Sequence, residues 1–319
     1  MTKKIGVLTS GGDAPGMNAC IRAVVRAGLQ KGFEVYAING GYKGIMTDEI
    51  TKVSRHFVSD IINRGGTILG TARLPEFKDP EVQKQAADKL KALGIDALVC
   101  IGGDGTYMGA QALSKLGINC IAIPATVDND ISSSDYTIGF DTCLNTIVDC
   151  VDRLRDTSSS HQRCSLIEVM GNRCGDLAAY AGLACGSEVT ITNDLPMTKD
   201  EVIATLKAQR EAGKEHAIVI VSEKLCDIHQ FAREIQDKCG FDTRAEVLGH
   251  MQRGGKPTAF DRILASRLGV YAIELLTRGI TSSCVGLVGN NLTYFRIEDA
   301  LKFPRKRSEE YVNIGALIE

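Results

Sequence analysis

No stretch of this 319-residue chain stays apolar long enough to cross a bilayer, and the first residues, MTKKIGVLTSGG, run directly into a strand-like segment. A secretory leader needs a longer apolar core and a small-residue cleavage site, so the expectation is a protein without membrane span or export signal, placed in the cytoplasm. Neither sign of charge is in excess: 37 Lys and Arg stand against 39 Asp and Glu. Binders of nucleic acid or of anionic membranes usually carry a basic excess or stripe, so neither partner is expected and any anion would be met by a local arginine pocket. Cysteine is not scarce, but its 11 residues never form C-x-x-C, and most lie in apolar runs such as ALVCIGG and INCIAIP. That pattern suits reduced, buried thiols and argues against a zinc site or a disulfide framework.

Two nucleotide fingerprints are also missing. G-x-x-x-x-G-K-[ST] does not occur, and the one G-x-G, Gly103 to Gly105, has Met108 where a third glycine would fall. A Walker-type NTPase and an ordinary dinucleotide-binding dehydrogenase both lose ground.

What is present is a chain 44% apolar and of a length natural for two lobes. Short Val- and Ile-rich runs alternate with longer amphipathic segments. KIGVLTS, EVYAIN, DALVCIG, INCIAIP, CSLIEVM, HAIVIVS, RAEVLGH and CVGLVG read as strands. Helices are predicted near 17–31, 80–93, 106–116, 140–158, 174–185, 199–212, 226–239 and 258–278. Continuous apolar strands alternating with helices imply α/β architecture with mainly parallel sheets covered on both faces, and there are too many strands for one small sheet. In such folds ligands sit beyond the carboxyl ends of the strands.

Three loops fall at that edge. TSGGDAPGMN leads from a strand through glycines to a helix start, where unpaired N–H groups can meet phosphate; alone it is more simply an ordinary tight turn. GGDGT, Gly102 to Thr106, leaves one carboxylate between bare backbone on each side. Magnesium takes one or two carboxylates plus phosphate oxygens, and Asp104 fits that role better than a plain helix cap. ATVDND, Ala125 to Asp130, adds Asp128 and Asp130, and phosphoryl transfer to an alcohol needs a carboxylate that accepts the hydroxyl proton. An Asx-rich turn would explain its composition but not its place beside a second exposed aspartate.

Arginine supplies planar, bidentate phosphate recognition. RLRDTSSSHQR carries Arg153, Arg155, His161 and Arg163; Arg244 lies in FDTRAEV; GHMQRGG holds His250 and Arg253. Single exposed arginines usually mark only solvated surface, but Arg253 lies between an apolar strand and GGKP. Arg22 and Arg26, four apart on one predicted helix, share a face, which by itself suggests helical salt bridging.

With TSGGDAPGMN, GGDGT, PATVDND and GHMQRGG in this order over essentially its whole length, the chain resembles the bacterial-type ATP-dependent 6-phosphofructokinases. The resemblance implies two similar three-layer α/β/α lobes. Residues 1–138 plus 251–301 would bind ATP, and residues 139–250 plus 302–319 the sugar phosphate. It implies transfer of phosphoryl from ATP to the 1-hydroxyl of fructose 6-phosphate with Mg2+, in a cytoplasmic homotetramer at the committed step of glycolysis. Asp128 would be the base, Asp104 the metal ligand, and Asp130 a helper in placing metal and phosphate. Thr126 would lie beside the reacting groups. Gly12, Arg73, Leu74, Gly103, Gly105 and Thr106 would line the ATP phosphates, with Arg73 also steadying the transferring charge. Met170, Gly171, Asn172 and Glu223 would contact the sugar. Arg163, Arg244, His250 and Arg253 would grip its 6-phosphate, the first two reaching in from a neighbouring subunit. An effector site between subunits, for ADP as activator or phosphoenolpyruvate as inhibitor, would use Arg22, Arg26, Arg55, Ser59, Asp60, Arg155, Gly186, Glu188, Lys214 and His216. In that company Arg22 and Arg26 read as part of an anion pocket.

The chain departs from the family pattern at Ala212, where many relatives have an effector-site lysine, and in MGNRCGD, where Arg173 stands one place later than usual. Ala125 replaces a more usual glycine. Pyrophosphate-dependent relatives typically carry an aspartate in place of Gly105 and a lysine in place of Ala125, so ATP is the expected donor. GGDGT also occurs in NAD kinases and lipid kinases, which lack the TVDND and GHMQRGG pair. A non-catalytic nucleotide sensor would have no use for Asp104, Asp128 and Asp130 together.

Overall fold

A computed structural model describes residues 3–305 and 308–318. Its strands are β1 Lys4–Ser10, β2 Glu34–Ile38, β3 Ile50–Lys52, β4 Ile95–Gly102, β5 Asn119–Pro124, β6 Arg163–Val169, β7 Val189–Ile191, β8 Ala217–Ser222, β9 Asp242–Val247, β10 Ser283–Val288 and β11 Asn291–Arg296. The first helices are α1 Met17–Gln30, α2 Tyr42–Met46, α3 Pro80–Ala92, α4 Asp104–Lys115 and α5 Phe140–His161. They are followed by α6 Asp176–Cys185, α7 Lys199–Glu211, α8 Ile228–Cys239, α9 Ala259–Thr277, α10 Ile297–Ala300 and α11 Glu309–Ile318. The chain divides into two compact units, one of residues 1–127, 131–142 and 253–305, the other of residues 128–130, 143–252 and 306–319. The chain therefore enters the second unit for only three residues, Asp128 to Asp130, and returns.

The first unit holds a seven-stranded sheet in the order β11-β10-β5-β4-β1-β2-β3. Its centre is parallel, while β10–β11 and β2–β3 are antiparallel pairs at the two margins. Side chains of successive strand residues point to opposite faces, and here both faces are apolar because both are covered. Leu8, Leu98, Cys100, Cys120 and Ala122 share a core with Tyr107, Ala110 and Leu113 of α4 and with Leu90 of α3. On the other face the backbone of Gly28 in α1 approaches Ile5, Val35 and Ile273 of α9 closely enough that an added Cβ would lie 3.0 Å from Val35. Burying a side chain of that size is worth roughly 2 kcal/mol, so continuous Val and Ile runs are what this architecture requires.

The second unit has a four-stranded, fully parallel sheet in the order β7-β8-β6-β9. One face packs Leu166, Val219 and Val221 against Val202 and Leu206 of α7 and Phe231 and Ile235 of α8. The other carries α5, whose Ser158 hydroxyl meets Ser165 of β6 at 2.6 Å, and α6, whose Gly182 backbone approaches Thr190 of β7. The units share an α/β/α plan but differ in strand number. All 11 cysteines are free thiols and eight of them are buried. No helix among the described residues is long and apolar enough to cross a membrane.

Candidate active site

In the first unit, strand register places the three loops at one edge. Ser10 pairs with Gly102, and Gly102 with Pro124, so β1, β4 and β5 end side by side. The chain leaves β1 for β2 on one side and comes back through β4 on the other. The gap between the ends of β1 and β4 is therefore the topological switch point, where ligands of open α/β sheets bind. Thr106, buried in the first turn of α4, ties the two loops together by donating its hydroxyl to the Ser10 carbonyl at 3.0 Å. Gly102 is obligatory there: a Cβ would fall 2.3 Å from both the Ser10 carbonyl and Thr106 Oγ1. The Ala125 N–H bonds the Gly102 carbonyl at 3.1 Å, and the Thr71 hydroxyl bonds the Gly11 carbonyl at 2.6 Å. Thr71 brings with it the loop of Arg73, which is exposed, and Leu74, which packs on the core.

Asp104 opens α4, where the helix end favours its negative charge. The carboxylate is open to solvent, yet the surrounding loops remove enough water to raise its pKa above the usual value. Gly105 beside it faces open space. Gly103 and Thr126 lie on adjacent loops, with a Cβ on Gly103 reaching 4.0 Å from the Thr126 Cβ. Arg253, expected with the sugar phosphate, has its guanidinium over Gly12, so that a Cβ on Gly12 would lie 3.2 Å from Nη1. Arg22, Arg26 and Arg55 gather on α1 and the turn at 55–58; burial, then the charges of Arg26 and Arg55, hold Arg22 below its ordinary pKa. Ser59 and Asp60 follow that turn, Asp60 in the left-handed region at φ 54°.

In the second unit, the 128–130 segment keeps Asp128 and Asn129 buried and Asp130 half-buried. Asn129 takes φ 53° and donates its amide to Asp176 at the start of α6, at 2.8 Å. Burial raises the Asp176 pKa against the bonds from Asn129, Cys174 and Ser308. Cys174, Asp176 and Asp194 come within 4.8 Å of one another. Asp194 is turned to the Gly175 N–H at 2.9 Å, so two of the three already serve as local hydrogen-bond acceptors.

The carboxyl ends of β6, β8 and β9 collect the sugar-side candidates. Val169 pairs with Ser222 and Glu168 with Val247, which sets Met170, Gly171 and Asn172 beside Glu223 and His250 on neighbouring loops. The Asn172 N–H donates to Glu223 at 2.8 Å, and Lys224 donates to the Asn172 side chain at 2.6 Å. Gln252, wholly buried, accepts from the Met170 N–H at 3.1 Å. Burial, then the charge of Glu223, raises the pKa of Glu168.

Arg163 and Arg244 are not at this edge. Arg163 is the first residue of β6, six steps or roughly 20 Å of strand from Val169. Both arginines converge on Asp242, at 2.6 Å from Arg163 Nε and 2.8 Å from Arg244 Nη1. The amino edge of this sheet also gathers Arg155, which donates to the Gly186 carbonyl at 2.9 Å, and Lys214, paired with buried Glu188 at 2.7 Å. His216 immediately precedes β8 on the same margin.

The sequence pattern of the phosphofructokinase family, described as Phosphofructokinase, matches residues 4–276. A relative from Photobacterium profundum, named ATP-dependent 6-phosphofructokinase, is 57% identical over 302 residues, 95% of this chain and 94% of its own length. The chain belongs to the phosphofructokinase family. A relative of the same name from Glaesserella parasuis serovar 5 is 54% identical over 313 residues, 98% of each chain. The solved phosphofructokinase of Saccharomyces cerevisiae superposes with a TM-score of 0.87 at 32% identity, covering 99% of this chain but 48% of the yeast chain. The structure of a pyrophosphate-dependent phosphofructokinase from Marinobacter aquaeolei gives a TM-score of 0.89 at 20% identity, over 98% of this chain and 88% of that one, a likeness of fold alone.

Sequence reasoning missed Thr71, Gln252, Lys224 and the Asn129–Asp176 bond. Gln252 and Asn129 stand inside GHMQRGG and PATVDND, but the motifs do not tell that their side chains hold neighbouring loops, and Thr71 and Lys224 lie outside the four motifs altogether.

Proposed function

We propose that this chain is an ATP-dependent 6-phosphofructokinase, transferring the terminal phosphoryl group of ATP to the 1-hydroxyl of fructose 6-phosphate in glycolysis. The observation that carries the reading is the near-full-length identity above 50% to relatives of that name. The donor side supports it: Gly105, which faces open space, and buried Ala125 stand where pyrophosphate-dependent relatives typically carry an aspartate and a lysine.

The first unit binds ATP through Gly12, Gly103, Gly105, Thr106 and the Arg73–Leu74 loop, and the second binds the sugar phosphate. Asp128 accepts the hydroxyl proton as the sugar oxygen attacks phosphorus, and Thr126 and Arg73 steady the transferring group. Asp104 holds Mg2+ with help from Asp130, an oxygen-donor set that suits this ion. When bound, the ion neutralises charge building on the phosphate oxygens. Met170, Gly171, Asn172 and Glu223 orient the sugar, and His250 and Arg253 meet its 6-phosphate. Arg163 and Arg244, at the opposite margin of β6, serve the site of a neighbouring copy in a homotetramer. Arg22, Arg26, Arg55, Ser59, Asp60, Arg155, Gly186, Glu188, Lys214 and His216 line an effector site for ADP and phosphoenolpyruvate between subunits, in the cytoplasm.

A donor and acceptor panel tests the reading. ATP with fructose 6-phosphate and magnesium yields fructose 1,6-bisphosphate and ADP, while pyrophosphate as donor or NAD as acceptor yields nothing comparable. Transfer only to NAD, or only from pyrophosphate, overturns it.

A further inference from the structure

Asp261 lies in the first turn of α9 and is wholly buried. Thr258-Ala-Phe-Asp261 has the spacing of a capping box, and the Asp261 N–H does donate to Thr258 Oγ1 at 3.3 Å. The acid of a capping box would reach back to the Thr258 N–H. Here that N–H donates instead to Thr142 Oγ1 at 3.0 Å, and the Asp261 carboxylate turns to the segment that opens α5. Its Oδ1 accepts from the Gly139 N–H at 2.9 Å; its Oδ2 accepts from the Thr142 N–H at 2.8 Å and from the Thr142 hydroxyl.

The glycine loop after β1 closes on the same place. A Cβ on Gly16 would lie 2.6 Å from Ile138 and 3.5 Å from Asp261 Cβ, and one on Gly139 would lie 2.7 Å from Ala14. Gly16, Gly139 and Thr258 each directly precede a helix, so the amino ends of α1, α5 and α9 meet at one carboxylate, and their positive ends favour its charge. The segment then reaches the site: Ile138 N–H donates to the Pro124 carbonyl at 3.1 Å, and the Thr137 hydroxyl to the Thr126 carbonyl at 2.7 Å.

We propose that Asp261 is a positioning residue, which through Gly139 and Thr142 fixes Thr126 against the glycine loop that follows β1. The claim rests on the transfer reaction proposed above, because it assigns Asp261 a share in kcat. All the groups it names lie within the first unit.

The test pairs two substitutions at Thr142, a residue outside the binding machinery. Thr142→Val has nearly the same shape and keeps the backbone N–H bond to Asp261, but its side chain can neither donate to Asp261 nor accept from Thr258; Thr142→Ser keeps both side-chain bonds. Displacements of about 1 Å can cost about 100-fold, so Thr142→Val should lower kcat roughly 10- to 100-fold. KM for both substrates should stay within about threefold, the signature of an effect on the transition state rather than on uniform binding. Thr142→Ser should restore kcat, and Asp261→Asn should match Thr142→Val if it folds. Amide hydrogen exchange across residues 124–142 should quicken in Thr142→Val and stay unchanged in Thr142→Ser. Wild-type kcat or unchanged exchange in Thr142→Val overturns the proposal, as does an equal loss in Thr142→Ser. If the wild-type chain transfers nothing to fructose 6-phosphate, the proposed function fails; the exchange comparison then still decides whether these bonds hold the segment.

Discussion

After β4 the chain surrounds one aspartate with Gly102, Gly103 and Gly105, whereas after β6 and β8 it sets Asn172, Glu223 and Lys224 against one another. The first edge presents mainly backbone, the second mainly side chains whose charges are already paired. Backbone N–H groups and helix ends suit the phosphates of a nucleotide, which look alike from one phosphate to the next. A sugar with several distinct hydroxyls needs directional side-chain partners, and these stay ordered when held by neighbours. Two edges made by the same strand–loop–helix unit thus offer different groups, bare backbone at one and paired side chains at the other, and the proposed assignment of nucleotide and sugar follows that difference.

The largest expected effect separates chemistry from binding at either edge. Asp128→Asn should reduce kcat by about 1,000-fold or more, the scale of a lost general base with its charge, while binding of ATP and of fructose 6-phosphate changes little. Persistent turnover would remove Asp128 from the mechanism. Next is Arg253, whose guanidinium lies over Gly12 at the backbone-built edge although its proposed partner is the sugar phosphate. Charge-assisted bonds are worth about 1.5–3 kcal/mol, so Arg253→Ala should raise the KM for fructose 6-phosphate roughly 10- to 100-fold. A rise for ATP alone would assign Arg253 to the nucleotide and sharpen the contrast.

An effect of similar size concerns the support beneath the first edge. Burial raises the Asp261 pKa from 3.8 to about 6, with Asp141 adding and the bonds from Thr142 and Gly139 opposing. A carboxyl raised in the folded state binds its proton more tightly there than when unfolded. Its contribution to stability is therefore complete below about pH 4 and is lost as pH rises through about 6. Denaturant titrations of wild type and Asp261→Asn should show the wild type losing about 2 kcal/mol relative to the variant between pH 4 and 7. A constant difference would mean that Asp261 does not titrate in this window.

The parts of the fold readable in advance were those where burial on both faces leaves an unbroken apolar run, as in β1, β4, β5 and β8. The three-residue strands β3 and β7 are too short to show any period. The strand β11 was passed over although Gly289 and Asn290, at φ 53° and 67°, supply the two left-handed residues of a tight hairpin before it. Helix starts were misjudged by a residue or two where a cap decides them, as at Asp227, whose carboxylate accepts from the Gln230 N–H at 2.9 Å. In the site, glycine clusters were conspicuous because close backbone approach admits nothing else. Asp261 was hidden because its spacing imitates an ordinary cap, and its partners Gly139 and Thr142 lie more than a hundred residues away in the chain.

The division of labour between the two edges is tested most directly by calorimetric titration of Asp104→Asn and Glu223→Gln, each with magnesium-ATP and with fructose 6-phosphate. The account predicts a crossed pattern: Asp104→Asn loses affinity for magnesium-ATP and keeps its affinity for the sugar phosphate, and Glu223→Gln does the reverse. If either variant weakens both ligands alike, or the wrong one, the assignment of nucleotide to the glycine-built edge and sugar to the side-chain-built edge is contradicted.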